Sequence, residues 1–513
     1  MECIITIEIG TGTIRVAAFD LAGNILGSSK GAYPTFHDKP GYSEQDPEQI
    51  FITMLYILKN FLNEKIHSKK YKVASICFSS AMHSVLQINK HGVPLGNAIV
   101  WSDNRATKEA GDLKNSDLGK SLYRSTGTPI HAMSPLNKIA WLKNNDKERF
   151  AAAYKFLSIK TYIIQQLTGE YIIDHSVASA TGMLNIYSLQ WEDDALRYAG
   201  VNKNQLADVV PVFYSSAKLN REYQTSLGLH DKVKLIVGSS DGCMATLGAG
   251  VWGEGKATVT LEESGAVRVT SEKVLQDEKQ RLFSYVLTPG NYISGGPTNN
   301  AGSAFEWYTK QFGDFKRAFD LEDCIENLNN VASKVPIGAG GLIFLPYLQG
   351  ERAPIWNANA RGVYFGLNIQ HEQQHFIRAT IEGILFAFYS IGKTLEEHRS
   401  INSLSANGTF AAYPLWTQMM ADIFNKPVLI KQNSGSDSVA CGGFLVSATE
   451  MGLYTDLKQA AQKVSLLENF HPVQQNHDIY MKHFAIFEKL GTKLFDEFEA
   501  IADLQQNTIQ PTV

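Results

Sequence analysis

The sequence TLEESGA at residues 260–266 and the sequence IEIGTGT at residues 7–13 decide the fold class. In each stretch an apolar strand runs into a tight turn, and a second apolar strand follows at residues 266–269 and 14–19. Apolar runs on both sides of a short turn are typical of a β-hairpin. Two such hairpins, far apart in one chain, predict a protein of two lobes that hold a polyphosphate between them.

The composition indicates a soluble globular protein. The chain has 513 residues, of which 44% are hydrophobic and 19% charged, and a single core rarely serves more than about 250–300 residues. The net charge of −4 gives no sign of a nucleic-acid or polybasic membrane partner. No apolar run approaches the roughly 20 residues needed to span a bilayer, and the acidic N-terminus carries no secretory signal.

The cysteines are dispersed and form neither a CxxC motif nor a Cys/His pair. They are Cys3, Cys77, Cys243, Cys324 and Cys441. This pattern favours reduced thiols and a cytoplasmic location over disulfides or structural zinc.

Predicted strands and helices alternate along the chain, which favours an α/β fold with sheet-centred lobes. Asp46 and Pro47 predict a helix N-terminus. A strand at residues 233–238 runs into SSDG and then a helix of small residues. The glycines of residues 248–255 predict a boundary between an N-terminal lobe, 1–248, and a C-terminal lobe, 249–513. Residues 479–498 predict a single C-terminal helix.

Two longer motifs resemble those of the FGGY carbohydrate kinases. The first is MSPLNKIAWLKNN at residues 133–145, and the second is GVYFGL at residues 362–367 followed by HFIRATIE at residues 375–382. Both motifs stand in the family's order, and the likeness spans nearly the whole chain. The resemblance implies an α/β fold of two ribonuclease-H-like (actin-like ATPase) lobes with a substrate cleft between them. It also implies ATP and Mg²⁺ as cofactors.

Shorter motifs resemble the gluconate kinase branch of the family. They are SAMHS at 80–84, WSDNR at 101–105, GTPIH at 127–131 and ASATGMLN at 178–185. Xylulokinases share much of this pattern, so D-gluconate and D-xylulose both stay open as substrates.

The same resemblance implies sugar contacts from loops at strand ends. The candidate residues are Met82, His83, Trp101, Asp103, Asn104 and Arg105. Arg105 can bind a sugar carboxylate through two parallel hydrogen bonds. In the alternative interpretation, Arg105 forms a structural ion pair, while Met82 and Trp101 belong to the core.

Asp241 follows a predicted strand and begins a predicted helix, where the helix dipole favours an ionised carboxylate. In the resembled family, the matching aspartate takes the proton from the attacking sugar hydroxyl. The resemblance therefore implies that Asp241 is the catalytic base and lies at the metal. The local sequence alone favours a helix cap over a base, because Asp in a turn before a helix is common.

The first hairpin keeps most of the family's phosphate-binding pattern. Gly10 and Thr11 match the turn and are candidate phosphate contacts. Glu8 stands where the family has an aspartate that positions Mg²⁺ through water. Glutamate retains the charge but adds a methylene, and the rigid octahedral shell of Mg²⁺ tolerates displacement poorly.

The second hairpin departs from the family, which has Gly and Thr where this chain has Glu262 and Glu263. A carboxylate about 4 Å from a phosphate charge costs about 4 kcal/mol at an effective dielectric constant near 20. We therefore expect weakened nucleotide binding if both side chains face the phosphates. In the alternative, both turn to solvent or pair with Arg268 or Lys256.

The remaining nucleotide-site candidates are Asn300, Gly408 and Thr409. The family usually has a Gly-Gly pair at the Gly408 loop, and of that pair only Gly408 is kept. An Asn-Ala-Gly sequence begins at Asn300 where the family has Asn-Gly-Gly. These departures lie where the resemblance places the nucleotide, whereas the sugar-side motifs are intact.

The preferred hypothesis is an ATP-dependent kinase for a sugar or sugar acid, a phosphotransferase with an alcohol group as acceptor. Its preferred reaction converts D-gluconate to 6-phospho-D-gluconate. One alternative is a sugar-binding kinase homologue with impaired phosphoryl transfer, and a filament-forming or chaperone-like actin relative is a distant third. The predicted partner is a small-molecule sugar or sugar acid, with no nucleic acid and no membrane. A homodimer is the candidate assembly.

Overall fold

The computed structural model describes residues 1–216, 219–312, 321–432, 435 and 437–507. These residues form two compact units. The first contains Met1–Trp252, Thr270–Ser294 and Asp437–Val464, and the second contains Gly253–Val269 with the described residues of 295–436 and 465–507. Two later segments of the chain, Thr270–Ser294 and Asp437–Val464, thus belong to the first unit.

The strands are distributed along the whole chain. In chain order they are β1 (Glu2–Ile9), β2 (Thr13–Asp20), β3 (Ile25–Ala32), β4 (Glu44–Gln45), β5 (Lys72–Ser80), β6 (Leu86–Ile88), β7 (Ala98–Ile99), β8 (Lys155–Leu157), β9 (Ile172–Asp174), β10 (Leu184–Asn185), β11 (Gln190–Trp191), β12 (Asp208–Val210), β13 (Ser215–Ser216), β14 (Lys234–Ser240), β15 (Gly255–Leu261), β16 (Gly265–Ser271), β17 (Phe283–Thr288), β18 (Asn291–Thr298), β19 (Ile343–Leu345), β20 (Val363–Phe365), β21 (Ile401–Asn407), β22 (Val428–Lys431) and β23 (Leu466–Phe470).

The helices lie between these strands. In chain order they are α1 (Pro47–Phe61), α2 (Thr107–Lys114), α3 (Asp117–Thr126), α4 (Pro135–Asn145), α5 (Lys147–Ala152), α6 (Ile159–Thr168), α7 (His175–Ala180), α8 (Asp193–Ala199), α9 (Arg221–Ser226), α10 (Asp241–Gly248), α11 (Gly302–Phe312), α12 (Leu321–Ala332), α13 (Gln373–Glu396), α14 (Pro414–Phe424), α15 (Ser438–Glu450), α16 (Leu457–Gln462), α17 (Gln474–Lys493) and α18 (Phe495–Asn507). A π-helical turn at Leu62–His67 follows α1, and short 3₁₀ turns lie at Lys203–Gln205, Ala339–Gly341 and Thr409–Ala412.

The main sheet of the first unit has the strand order β13-β14-β5-β1-β2-β3. Its central strands β14, β5 and β1 are parallel, and β2 pairs with β1 in the antiparallel direction. Both faces of β1 are buried: Ile5 and Ile7 belong to the core that includes α1, and Ile4 belongs to the core that includes α15. A sheet covered on both faces explains the nearly continuous apolar sequence of β1.

The second sheet has the strand order β17-β18-β16-β15-β21-β22-β23. Within it, β15, β21 and β22 are parallel neighbours, while β16 and β23 pair in the antiparallel direction with β15 and β22. Helix α13 is buried along most of its length and packs against α12, α14, α17 and β19. This helix is therefore the centre of the second unit's helical layer.

Several predicted elements are confirmed. β1 and β2 form the first hairpin with Ile9 opposite Ile14, and β15 and β16 form the second. Helix α1 begins at Pro47, and the Asp46 side chain accepts hydrogen bonds from the first-turn N–H groups. The prediction of a single C-terminal helix at residues 479–498 is wrong, because Leu494 separates α17 from α18. Among the described residues, no helix is long and apolar enough to cross a membrane.

The buried position of β1 yields a stability prediction. Ile5 is fully buried in the centre of the strand, whereas Ile52 on α1 is 65% exposed. We expect Ile5→Ala to lower the free energy of unfolding by about 2–5 kcal/mol, because it leaves a cavity in a packed core. The matched Ile52→Ala variant should change it by less than about 0.5 kcal/mol. Urea unfolding followed by circular dichroism measures both, and equal effects would contradict the core assignment.

Candidate active site

Parallel strands of the first unit end at one edge of its sheet, and predicted site residues follow each of them. Gly10 and Thr11 follow β1, Met82 and His83 follow β5, and Asp241 follows β14. The last residues of the three strands are paired in register. Because the carboxyl ends of parallel neighbours meet at the same edge, the fold brings these three segments of the chain together.

The turn of the first hairpin is held by side chains from elsewhere in the unit. The indole N–H of Trp101 donates to the hydroxyl of Thr11 over 2.8 Å. The hydroxyl of Tyr33 donates to the carbonyl of Gly10, and the side-chain amide of Gln45 donates to the carbonyl of Thr11. These bonds fix the turn backbone and orient the Thr11 hydroxyl.

A small pocket lies beside this turn. Gly10, Thr11, Met82 and Trp101 all line it. Met82 also packs against the core that contains α10 and α15. Two predicted sugar-side residues and two predicted phosphate-side residues of the first unit therefore share one pocket.

Glu8 lies on β1, opposite Arg15 of β2, and is half-buried. The pKa of the nearby Tyr33 hydroxyl is raised, first by burial and then by the negative charge of Glu8. Glu8 is the residue before the last of β1, and Asp241 directly follows the last residue of β14. Both strands belong to the same sheet. Carboxylate oxygens are the donors that Mg²⁺ prefers, so this pair of residues fits a magnesium site in its chemistry.

His83 has an unusual backbone conformation. Its φ of 67° is in the left-handed region that non-glycine residues rarely adopt, and such residues cluster at functional sites. The ring is buried, with Nδ1 2.8 Å from the carbonyl oxygen of Ala180 and Nε2 3.5 Å from the hydroxyl of Tyr285. The neighbouring elements thus fix the orientation of this imidazole.

Arg105 and Asp103 are engaged with each other. The guanidinium donates to both carboxylate oxygens of Asp103 over 2.9 and 2.8 Å and to Glu44 over 2.6 Å. Asp103 also accepts a 2.6 Å bond from the Ser43 N–H, and Arg105 stacks 3.7 Å from the ring centre of Tyr42. Burial disfavours the guanidinium charge, but the two carboxylates outweigh it and raise the pKa of Arg105.

This arrangement corresponds to the structural ion pair, the alternative of the sequence-based expectation. Asp103 is fully buried, and the Arg105 side chain is only 3% exposed. A bidentate bond from Arg105 to a sugar carboxylate would require these ion pairs to break. Asn104 between them is half-buried, with its N–H bonded to the carbonyl of Gly41. The Asp103–Arg105 pair therefore fixes the loop that presents Asn104.

Asp241 is the first residue of α10, but the cap of that helix is Ser240. The Ser240 hydroxyl accepts the N–H of Cys243, while the Asp241 carboxylate accepts the N–H of Gly242 over 2.6 Å. Asp241 itself is only half-buried. Its carboxylate lies at the positive end of the helix dipole, which favours the ionised form that a base needs.

The second hairpin places Glu262 against another predicted nucleotide residue. Its carboxylate accepts the N–H of Thr409 over 3.1 Å and the hydroxyl of Thr409 over 2.8 Å. Gly408 has a φ of 97°, and a Cβ there would lie 2.4 Å from the carbonyl oxygen of Leu261. Glu262 thus occupies donors of the Gly408–Thr409 loop that the prediction assigned to the nucleotide.

The other second-unit candidates differ in exposure. Glu263 is exposed to solvent. Burial raises the pKa of the nearby Glu306, Lys310 partly offsets this, and the charge of Glu263 adds a smaller rise. Asn300 is fully buried: its side-chain amide donates to the carbonyl of Gly350 over 2.7 Å, and its oxygen accepts the N–H of Gln349. Asn300 therefore ties the loop that follows β18 to the segment that follows β19.

Sequence reasoning missed Lys138, which lies inside the first long motif. It is fully buried, and its amine donates to the carbonyls of His83 over 2.9 Å and Val100 over 2.7 Å. Lys138 therefore ties together the two loops that carry the predicted sugar contacts. Its place in the first long motif was the available indication of a role, because a lysine in a helix is ordinarily expected at the surface. Tyr33 and Gln45 were missed because nothing in their local sequence marks them.

Comparison with known proteins gives two domain matches. The FGGY family of carbohydrate kinases matches with its N-terminal domain at residues 3–248 and with its C-terminal domain at residues 261–451. A gluconokinase of Bacillus subtilis is 35% identical, with 98% of each chain covered.

Two solved structures from Lactobacillus acidophilus have a TM-score of 0.90. The gluconate kinase is 32% identical and is covered to 99%, and a ligand-bound xylulose kinase is 31% identical and is covered to 100%, each matching 98% of this chain. These matches show the α/β two-domain fold of the actin-like ATPase kinases. The chain belongs to the FGGY family of carbohydrate kinases. The predicted family, fold class and phosphotransferase class are confirmed.

The environment of Lys138 predicts a pH effect. Burial, partly offset by Asp103, lowers the pKa of its amine to about 7, whereas a lysine in an unfolded chain has a pKa of about 10.4. Between these values the unfolded chain binds about one proton more than the folded chain, so this residue makes stability rise with pH. We expect Lys138→Met to reduce the slope of unfolding free energy by about 1.4 kcal/mol per pH unit between pH 7.5 and 10.

Urea unfolding over that pH range measures the slope. The matched control is Lys120→Met, because the Lys120 side chain is 55% exposed. An unchanged slope in Lys138→Met, or an equal change in the control, would contradict the buried-lysine account.

Proposed function

We propose that this chain is an ATP-dependent kinase for D-gluconate and forms 6-phospho-D-gluconate. The observation that carries the proposal is the common sheet edge at which Asp241, the Met82–His83 segment and the Gly10–Thr11 turn lie. Support for the sugar acid comes from the 35% identity to a gluconokinase over 508 residues, against 29% to a xylulose kinase of Staphylococcus epidermidis over 503 residues.

In this proposal Asp241 is the general base. Its carboxylate accepts the proton of the attacking sugar hydroxyl, and the N-terminus of α10 keeps it ionised beforehand. Phosphoryl transfer has a loose transition state, so correct placement of the hydroxyl contributes more than the strength of the base. Gly10 and Thr11 contact the phosphates in the first unit. Glu8 and Asp241 hold Mg²⁺, which when bound neutralises phosphate charge.

On the sugar side, Met82, His83, Trp101 and Asn104 are the proposed contacts. The buried imidazole of His83 and the indole of Trp101 offer an apolar surface with fixed polar edges. Asp103 and Arg105 contribute through the loop that they hold. Xylulokinase remains the alternative activity within the same family.

The contact between Glu262 and Thr409 supports the second candidate, a sugar-binding homologue with impaired phosphoryl transfer. We propose that Asn300, Gly408 and Thr409 lie at the nucleotide. The Glu262 carboxylate then competes with the nucleotide for the Thr409 donors and repels its phosphates. Glu263, which is exposed, has a smaller effect because solvent and salt screen its charge.

We further propose a cytoplasmic location, supported by the dispersed spacing of the five cysteines, which forms no CxxC motif. The homodimer stays a prediction, which light scattering coupled to gel filtration tests directly.

Substitution of Glu262 tests the nucleotide proposal. Glu262→Gln should tighten MgATP binding at least about tenfold, or about 1.4 kcal/mol, because it removes one negative charge near the phosphates. The double change Glu262→Gly with Glu263→Thr should tighten it further. The matched control Glu263→Gln should stay within about twofold. Isothermal titration calorimetry measures these affinities, and equal values for Glu262→Gln and the unaltered chain would contradict the assignment.

Turnover tests the function itself. We expect MgATP-dependent ADP release with D-gluconate, slower release with D-xylulose, and a loss of at least about a hundredfold in kcat for Asp241→Asn. A coupled assay on folded protein measures all three. Undiminished turnover in Asp241→Asn would contradict the assignment of Asp241 as the base. No turnover with either sugar would favour the sugar-binding homologue with impaired phosphoryl transfer.

A further inference from the structure

A buried polar network lies directly before Asp241 in the first unit. Its members are Lys160, Asp174, Ser176, Ser239 and Ser240, and each is at most 1% exposed. None of these residues was singled out from the sequence as a site residue. They come from α6, from the junction of β9 and α7, and from the end of β14.

The network begins with an ion pair. The amine of Lys160 lies 2.6 Å from one carboxylate oxygen of Asp174 and donates to the carbonyl of Ser239 over 3.1 Å. The other oxygen of Asp174 accepts the N–H of Ser176 over 3.0 Å and its hydroxyl over 2.6 Å. Asp174 is therefore both the cap of α7 and the partner of a buried lysine.

The hydroxyl of Ser176 transmits this arrangement to β14. Because its proton is given to Asp174, both of its lone pairs are left to accept hydrogen bonds. They accept the hydroxyl of Ser239 over 2.7 Å and the N–H of Ser240 over 2.8 Å. One hydroxyl, oriented by a carboxylate, thus fixes two successive residues immediately before Asp241.

The strand needs this support because its pairing is irregular at that point. The register between β14 and β5 shifts between Ile236 and Ser239. Gly238 has a φ of 65°, and a Cβ there would lie 1.9 Å from the carbonyl oxygen of Phe78. The direction in which the chain leaves the sheet is therefore set after Gly238, where the network holds Ser239 and Ser240.

Stability alone does not account for such a network. A buried ion pair contributes little compared with apolar side chains of similar size, because both charges lose their hydration. Bonds to Ser239 and Ser240, directly after the irregular part of the strand, do, however, specify one geometry. Catalysis requires that geometry, since a misplacement of about 1 Å can cost roughly a hundredfold in rate.

We propose that Lys160, Asp174 and Ser176 are positioning residues, which set the location of the Asp241 carboxylate through the backbone of Ser239 and Ser240. This inference rests on the proposed function, in which Asp241 is the base. The network acts on the placement of Asp241 and leaves the sugar and nucleotide contacts unchanged.

The test compares Ser176→Ala and the milder Ser239→Ala with Ser75→Ala. Ser75 is a suitable control because it is fully buried on β5, and its hydroxyl bonds to the sulfur of Met451. In Ser176→Ala we expect kcat to fall about tenfold or more while KM for D-gluconate changes by less than about threefold. Ser239→Ala should show a smaller fall of the same kind, and Ser75→Ala none.

A second readout does not depend on turnover. In protein with ¹³C-labelled aspartate carboxyls, the Asp241 resonance is identified by its loss in Asp241→Asn. We expect it to move in Ser176→Ala and Ser239→Ala and to stay in place in Ser75→Ala.

An unmoved Asp241 resonance in both network variants would overturn the positioning role, whatever the activity. An equal fall of kcat in Ser75→Ala would overturn it as well, since it would show a general effect of lost buried hydroxyls. If the resonance moves but the unaltered chain turns over neither D-gluconate nor D-xylulose, the positioning role is supported and the proposed function fails. The two proposals are therefore separable.

Discussion

The parallel pairing of β14, β5 and β1 is the constraint on which the candidate site depends. Because each of these strands ends at the same sheet edge, segments that are far apart in sequence reach one place. The edge supplies a turn with backbone N–H groups, a buried histidine and a helix N-terminus with a carboxylate. Side chains from elsewhere in the unit then hold each segment: Trp101 and Gln45 hold the turn, Lys138 holds the sugar-side loops, and Ser176 holds the residues before Asp241.

In the second unit, donors that the sequence analysis assigned to the nucleotide are already bonded within the protein. At the turn of its hairpin, a carboxylate satisfies the N–H and hydroxyl of Thr409 from within the protein. A phosphate uses the same kind of donor, so a nucleotide bound at this loop, as proposed, competes with the internal contact. The fold of this chain and the efficiency of its proposed catalysis are therefore separate questions. The family membership establishes the fold, whereas the proposed effect of Glu262 on nucleotide binding awaits the Glu262→Gln measurement.

Features encoded by local pattern could be predicted from the sequence. The hairpins at Gly10 and Glu262, the cap at Asp46 and the strand before Asp241 all follow from short runs of residues. Partners distant in sequence could not be predicted, and they decide the roles of individual side chains. Arg105 lies in a motif that the sequence predicts to contact sugar, yet Glu44, 61 residues away in the chain, pairs with its guanidinium. Likewise, 147 residues separate Glu262 from Thr409.

The most direct test of the account is a crystal structure with D-gluconate, Mg²⁺ and a non-hydrolysable ATP analogue. If Asp241 is the base, one sugar hydroxyl lies within about 2.6–3.2 Å of an Asp241 carboxylate oxygen, with the sugar against His83 and Asn104. A sugar bound elsewhere, or bound here with every hydroxyl out of hydrogen-bond reach of Asp241, would contradict it.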